Sequence, residues 1–328
     1  MGLASGVKIS VVVCTYNGGR FLAEQLQSIL DQTHPPDDII VSDDGSSDST
    51  LDIVAEFSSR HSGAKKPQWT VQSRKKPLGV AGNFASALTK AQGEFIALAD
   101  QDDVWEPNRL ERGLAGFRDD ALLVHSDATL IDEVGHPTGS LMSALRLTNG
   151  ERRSLLSGNA VDALLRRNLV TGATTMIRAS LLQQALPIPE GWVHDEWLGL
   201  VAAVQGGVVF SEESLIRYRQ HGGNEIGAAK TNLDEANRRL RETRTDFFSR
   251  KLLRNAGISR VLERDPNWLG SEARAELSVK LDFDHWRSQL PAQRWGRVLP
   301  VMIRWAQGDY GRFARGYLDV IRDLSLTD

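Results

Sequence analysis

The sequence predicts an α/β protein: a mostly parallel sheet flanked by helices on both faces, with a helical region after it. Three observations carry the prediction. Unbroken β-branched runs such as "KISVVVC" (8–14) have the hydrophobicity of strands buried on both faces. Such runs alternate with stretches of helical periodicity through residue 127, which is the pattern of β–α–β units. Polar groups also collect just after three of the strands, where sheets of this kind bind ligands.

Taken in order, "KISVVVC" is followed by "GRFLAEQLQSILDQ" (19–32), with Phe21, Leu22, Leu26, Ile29 and Leu30 at helical spacing. "DIIVSDD" (38–44) is a second strand ending in carboxylates, and "GSSDSTLDIVAEF" (45–57) offers small polar caps before an apolar stripe. "WTVQ" (69–72) is a short third strand and "VAGNFASALTKA" (80–91) a helix. "EFIALA" (94–99) is the fourth strand, and "EPNRLERGLAGF" (106–117) a helix with Pro107 near its first turn. "ALLVHSD" (121–127) is the fifth strand.

Composition bounds the function. Over 328 residues, 41% hydrophobic and 25% charged residues suit a globular chain with a sizeable core. A net charge of −3 argues against a basic nucleic-acid binder. The single cysteine, Cys14, reads as a buried strand residue and excludes an internal disulfide or a cysteine-built zinc site. That usage suits a reducing cytoplasm. "MGLASGVKIS" shows no apolar signal segment, and no run of about 18 apolar residues reads as a spanning helix.

The chemistry concentrates at the strand ends. Thr15, Tyr16 and Asn17 follow the first strand, and Asp43, Asp44, Gly45 and Ser46 the second. Asp100, Asp102 and Asp103 follow the fourth. One aspartate would suffice to cap the next helix, whereas three in four positions repel one another unless something positive joins them. Mn2+ or Mg2+ takes oxygen ligands, commonly one or two carboxylates completed by substrate phosphates. Such an ion neutralises charge on a departing phosphate.

On "VVVCTYNGGRFLAEQLQSILDQT", "IIVSDDGSSDST" and "GEFIALADQDDVW", in that order and spacing, the chain resembles the inverting family 2 glycosyltransferases of the GT-A fold. The resemblance continues through "VTGATTMIRASLL" (170–182), "HDEWLGLVAA" (194–203) and "IRYRQHGGN" (216–224), and so covers roughly residues 7–225. The wording "DQDDVW", "HDEW" and "YRQH" is similar to bacterial rhamnosyltransferase-like enzymes of surface-polysaccharide and O-antigen assembly. It implies a hexosyl transfer from a nucleoside-diphosphate-sugar, dTDP- or UDP-linked with dTDP-rhamnose among the candidates. The acceptor it implies is a hydroxyl of a saccharide, lipid-linked in some relatives, met at the inner face of the cell membrane.

Residue by residue, the resemblance implies that Thr15, Tyr16 and Asn17 open the nucleotide pocket, with the Tyr16 ring near the base. Asp44, with Asp43 beside it, matches the acid that reads base or ribose, and Asn83, after Gly79, a residue near the nucleotide-sugar. Many relatives carry an arginine before that asparagine, where this chain has Gly82. Arg74, Lys75 and Lys76 are the candidate replacements for its diphosphate contact. Asp100 and Asp102 match the DXD motif, with Asp103 alongside, and Trp105 is a candidate wall for the donor site.

An inverting transfer needs a carboxylate to take the acceptor's proton. Asp195 matches that base, in a "His-Asp" where relatives have "Glu-Asp". Capping of the helix that follows by His194 and Asp195 is the plainer alternative, and Glu196 the fallback base. His221 is either structural or a further metal or diphosphate contact, and Arg219 an alternative partner for the diphosphate. Gly172 marks either close approach of substrate or a bulge. Trp192 and Trp197 flank the base candidate and read equally as core.

The domain boundary is placed at residue 228, with a GT-A domain over 1–228 and a helical region over 229–328. "NLDEANRRLRETRTDFFSRKLLRNA" (232–256) and "SEARAELSVKLDFDHWRSQL" (271–290) read as charged helices. Between residues 285 and 318, six arginines stand against Asp309 alone, interleaved with aromatics. This is either a peripheral membrane surface or an appendage packed on the catalytic domain, with Pro291 and Pro300 interrupting any single long helix. Two other functions use similar parts. A nucleotidyltransferase needs a basic residue in a longer Gly-rich loop after the first strand, of which Gly18, Gly19 and Arg20 are a faint echo. A non-catalytic nucleotide-sugar-binding module needs no base at Asp195.

Overall fold

The computed structural model describes residues 6–63, 66–118, 120–222, 243–265 and 268–326. The chain divides into two compact units. One holds residues 1–159, 170–188 and 193–228, the other residues 160–169, 189–192 and 229–328.

The first unit is built on a nine-stranded sheet of β1 (Ile9–Thr15), β2 (Asp38–Asp43), β3 (Gln68–Ser73), β4 (Phe95–Ala99), β5 (Val104–Trp105), β6 (Leu123–Ile131), β7 (Pro137–Ser140), β8 (Thr175–Arg178) and β9 (Val208–Arg219). The strand order is β3-β2-β1-β4-β8-β6-β9-β5, with β7 on β6. The helices through this part of the chain are α1 (Leu22–Leu30), α2 (Thr50–Arg60), α3 (Gly79–Leu88), α4 (Arg109–Gly116), α5 (Leu141–Ala144), α6 (Asn149–Leu156), α7 (Val161–Arg166, in the second unit), α8 (Leu182–Ala185) and α9 (His194–Val204). Val11, Val13, Ile39, Val41 and Ala97 share a core cluster with Leu22, Leu26 and Ile29 of α1. Burying each large aliphatic side chain is worth about 1.5–3 kcal/mol, which seats the helix on the sheet.

β1 pairs in parallel with β2 and β4, and β2 with β3. The register sets Thr15 opposite Asp43, and Val13 opposite Ala99, the residue before Asp100. Three strand ends distant in sequence therefore share one edge, as expected. Beyond β4 the sheet is mixed. β8 lies antiparallel between β4 and β6, and β6 pairs in parallel with β9. The fifth expected strand is thus present but not beside the fourth; four residues of β8, after a short 3-10 turn, are too few to show a period. Pro107 precedes α4 rather than entering it, because the helix starts at Arg109.

The second unit contains α7 together with α10 (Arg244–Arg264), α11 (Ser271–Ser288), α12 (Arg294–Ala306), α13 (Asp309–Phe313) and α14 (Tyr317–Ser325). Residues 232–242 of the expected helix lie outside the described residues, and so does the expected boundary at residue 228. Phe283, Leu290, Val301, Tyr310, Phe313 and Val320 form the core of this unit. Two arginines that read as surface charge are fully buried here. Arg287 grips Asp323 through both oxygens, at 2.6 and 2.8 Å, and Tyr310 donates to the same carboxylate at 2.6 Å. Arg297 donates to the carbonyls of Ala292 (2.6 Å), Asp323 (3.2 Å) and Leu326 (2.7 Å), closing the loop ends against α12. Pro300 lies inside α12 and does not interrupt it.

Candidate active site

The nucleotide-side residues are gathered but largely engaged. Asp43 receives the Thr15 hydroxyl at 3.2 Å and the backbone N–H groups of Gly45 (3.1 Å) and Ser46 (2.9 Å), an Asx-type closure of the turn after β2. Asp44 accepts from Arg74 at 3.0 Å, Leu78 N at 2.9 Å and Gly79 N at 2.8 Å, so it anchors the start of α3. Asn83 donates to Ser42 O at 2.8 Å and accepts from the Arg74 guanidinium. Arg74, a candidate diphosphate contact, is thus held by Asp44, Asn83 and the hydroxyls of Ser42 and Ser86, while Lys75 and Lys76 are exposed. Asn17 takes a left-handed conformation (φ 49°) and receives Ser47 N at 2.9 Å. The Tyr16 side chain is 50% exposed, and its backbone is clamped by Gln101, which accepts from Tyr16 N at 2.9 Å and donates to Tyr16 O at 3.0 Å. Cys14 is half-buried rather than buried. Burial, then the charge of Asp100, pushes its thiol well up, so it stands neutral.

The carboxylates after β4 do have positive company within the protein. Asp102 Oδ2 lies 2.8 Å from His221 Nε2. Asp103 Oδ1 accepts the Arg219 backbone N–H at 2.9 Å, while Asp103 Oδ2 is buried without a hydrogen-bond partner among the described residues. Arg219 is itself buried and donates to Asp102 O at 2.9 Å and to Glu24 at 2.6 Å. Arg109 lies beneath the group, 1% exposed, donating to Leu98 O (3.0 Å) and Ala173 O (2.6 Å). Burial lowers its guanidinium to about 9, and the charges of Asp103 and Asp100 oppose that, so it remains protonated near neutrality. Asp100 accepts no hydrogen bond among the described residues. Burial first, then the charges of Asp102 and Asp195, raise its carboxyl to about 7. Trp105 is corrected by its position: it is 3% exposed in the core cluster, with the Arg109 guanidinium 3.6 Å from its ring centroid, and walls no open site.

Asp195 stands in the first turn of α9. Its Oδ2 accepts Gly172 N at 3.0 Å and its Oδ1 accepts Glu196 N at 2.6 Å. Its charge is among the causes that raise the Asp100 carboxyl. Among the described residues, both ring nitrogens of His194 are buried without hydrogen-bond partners, and the ring stacks on Phe84 with centroids 3.8 Å apart. Burial depresses it to about 3, which keeps it neutral. Gly172 is neither a bulge nor an opening for substrate on this geometry. A Cβ there would meet His194 Nε2 at 2.6 Å, so the missing side chain admits α9. Trp197 is fully buried, donating to Ala185 O at 2.7 Å, and Trp192 donates to Arg254 O at 3.0 Å. Both are core residues.

Two residues escaped the sequence reading. Arg109 falls within the expected helix of residues 106–117, and its one signal is Gly113 four positions on, the same face, where a Cβ would strike Met176 Sδ. Tyr218 lies beside the flagged Arg219; burial, then Asp100, Asp103 and Asp102, raise its hydroxyl well above the usual range and keep it neutral near the carboxylates. Among the described residues, no three His, Cys, Asp or Glu side chains form a ready metal cage. The open Asp100 carboxylate and the orphaned Asp103 Oδ2 nonetheless fit a hard cation that draws its remaining ligands from phosphates and water.

Residues 10–170 match the family model "Glycosyl transferase family 2". An uncharacterized glycosyltransferase of Nostoc sp. is 27% identical over 234 residues, 66% of each chain. Among solved structures, S. aureus TarS 1-349 in complex with UDP-GlcNAc superposes with a TM-score of 0.56 at 19% identity, over 85% of this chain and 73% of that one. The mannosyltransferase PcManGT from Pyrobaculum calidifontis, in complex with GDP-Man and Mn2+, gives 0.53 at 16% identity, over 97% and 84%. These structures share the fold, a GT-A-type mixed, mostly parallel sheet flanked by helices. Residues 10–170 are therefore similar to the glycosyl transferase family 2 domain, within a chain of GT-A-type fold.

Proposed function

We propose that this protein transfers a hexose, with inversion, from a nucleoside-diphosphate-sugar to a hydroxyl of a saccharide acceptor. The observation that carries the reading is the convergence of two carboxylates from separate elements. Asp100 directly follows β4 and accepts no hydrogen bond among the described residues, and the charge of Asp195, in the first turn of α9, contributes to raising its carboxyl. In this reading Asp195 is the general base that takes the proton of the attacking hydroxyl. Gly172 N and Glu196 N fix its carboxylate, so a lone pair is presented in one orientation.

Thr15, Tyr16, Asn17, Asp43, Asp44 and Asn83 form the nucleotide side. Tyr16 offers an exposed ring for stacking on a base. Asp43, Asp44 and Asn83 act by holding the two loops that frame it. Asp100 and Asp102 would hold Mn2+ or Mg2+, which when bound would neutralise the leaving diphosphate. His221 orients Asp102 through Nε2, and Nδ1 is the nitrogen it would offer an ion while that contact is kept. The neighbours bound to UDP-GlcNAc, and to GDP-Man with Mn2+, support a nucleotide-sugar donor and a divalent ion. A UDP- or dTDP-sugar, dTDP-rhamnose included, is the donor proposed. A lipid-linked saccharide of surface-polysaccharide or O-antigen assembly, met on the cytoplasmic side of the membrane, is the acceptor.

The test is release of nucleoside diphosphate from UDP-, dTDP- and GDP-sugars with Mn2+ and a bacterial saccharide fraction. NMR of the product gives the anomeric configuration. Acceptor-dependent release from one donor, with inverted product, supports the reading. Retained configuration would remove Asp195 as base.

A further inference from the structure

The second unit carries a feature that sugar transfer does not use. Its core packs Val301 and Arg297 of α12 inward, both fully buried. The opposite face of the same helix is apolar and open to solvent. Trp295 is 78% exposed, Leu299 71%, Ile303 50% and Met302 40%. At 100° per residue these side chains fall within one half of the helix circumference, and no charged residue falls among them. Trp305 is 46% exposed, so an indole stands near each end of the helix. Packed beside α12, α14 exposes Leu318 at 44% and Ile321 at 56%. Single exposed apolar residues are ordinary, but a charge-free stripe along a whole helix marks an interaction surface.

The charges around it choose the partner. From residue 291 to 326 there are six arginines and three aspartates, with no lysine or glutamate. Buried Arg297 serves the fold, and buried Asp323 is consumed by Arg287. Asp309 and Asp319 meet Arg304 and Arg322. Arg294 and Arg312 are exposed, and over this stretch arginines outnumber aspartates six to three. An apolar stripe with an indole near each end and a basic margin suits an anionic bilayer surface, in which the side chains enter the interface and the guanidinium groups meet phosphates. The 13 residues of α12 rise about 20 Å, too short to cross a bilayer core of about 30 Å, so the helix would lie in the plane. A second copy docked by two-fold symmetry would set this basic margin against itself.

We propose that the α12–α14 face is a docking surface for anionic membrane lipid, independent of the donor reading. The experiment is vesicle co-sedimentation of the full chain at low ionic strength, on phosphatidylcholine alone or with phosphatidylglycerol. Wild type is expected to sediment with the anionic vesicles and far less with the neutral ones. The pair Leu299→Glu and Ile303→Glu should lower the bound fraction about tenfold or more, with an unchanged circular-dichroism spectrum and melting temperature. Trp295→Ala should weaken binding too, and Arg294→Glu with Arg312→Glu should remove the preference for phosphatidylglycerol. Wild type left in the supernatant with both vesicles, or the glutamate pair binding like wild type, overturns the proposal. So does light scattering that shows a dimer in wild type and a monomer in the pair, which would assign the face to a second copy.

Discussion

His221 Nε2 lies 2.8 Å from Asp102 Oδ2, across 119 positions of sequence, and so ties the chain just past β9 to the carboxylates that follow β4. A residue that holds an ion-binding carboxylate in place typically contributes tenfold or more to ion affinity. His221→Ala should therefore weaken Mn2+-dependent donor binding by about 10–100-fold while leaving the fold intact. Calorimetry with Mn2+ and the released nucleoside diphosphate measures this, and an unchanged affinity would make His221 a surface contact only.

Arg109 supplies the buried positive charge under Asp100 and Asp103. Replacing it with methionine keeps most of the volume but removes the charge nearest Asp100 and Asp103, and loss of one partner from a buried ion pair costs about 3–5 kcal/mol. Denaturant unfolding should show a loss of that size. Because Arg109 opposes the rise of Asp100, the same variant should also shift the Asp100 titration upward.

Asp100 makes stability depend on pH. Its carboxyl is raised from 3.8 to about 7 in the folded protein, so the stability it confers is fully present below 3.8 and lost as pH rises through about 7. Asp100→Asn cannot ionise. Its stability advantage over wild type should be near zero at pH 4 and grow to at most about 4 kcal/mol at pH 8. Melting curves of both proteins across that range check the sign, and Mn2+ should narrow the gap at pH 8 by stabilising only wild type.

Gly172→Ala tests the seat of Asp195. The added Cβ meets His194 Nε2 at 2.6 Å, and the ring, stacked on Phe84, has little room to retreat. A loss of about 1–3 kcal/mol is expected from overpacking. The double variant Gly172→Ala with His194→Ala should recover part of it. Additive losses would show that the two positions do not touch.

The sheet edge was legible because burial on both faces leaves an unmistakable run, as in β1 and β4, and because polar groups follow those runs abruptly. Which polar groups remain open was not legible. Asp43 and Asp44 look in sequence like ligand-reading acids, yet the backbone N–H groups of Gly45, Ser46, Leu78 and Gly79 occupy them. For Asp44 the donors Leu78 and Gly79 lie 34 and 35 positions away, and such bonds leave no periodic mark. The same holds for the charge balance. Three carboxylates in four positions imply a cation, but whether it is an ion or an arginine depends on helix packing. Arg109 reaches the cluster from α4, which packs with Gly113 against the Met176 side chain of β8. Arg287 and Arg297 teach this in reverse, since a basic, aromatic stretch reads as surface although both arginines are buried.

The most direct test of the account is calorimetry of UDP-, dTDP- and GDP-sugars, each with Mn2+ or with EDTA, against wild type and Asp100→Asn. The account predicts that one donor binds wild type with Mn2+, that EDTA abolishes the binding, and that Asp100→Asn, still folded, has lost it. Equal donor binding by wild type and Asp100→Asn, with Mn2+ or with EDTA, would contradict it, and the carboxylates after β4 would then serve only to anchor Arg109, Arg219 and His221.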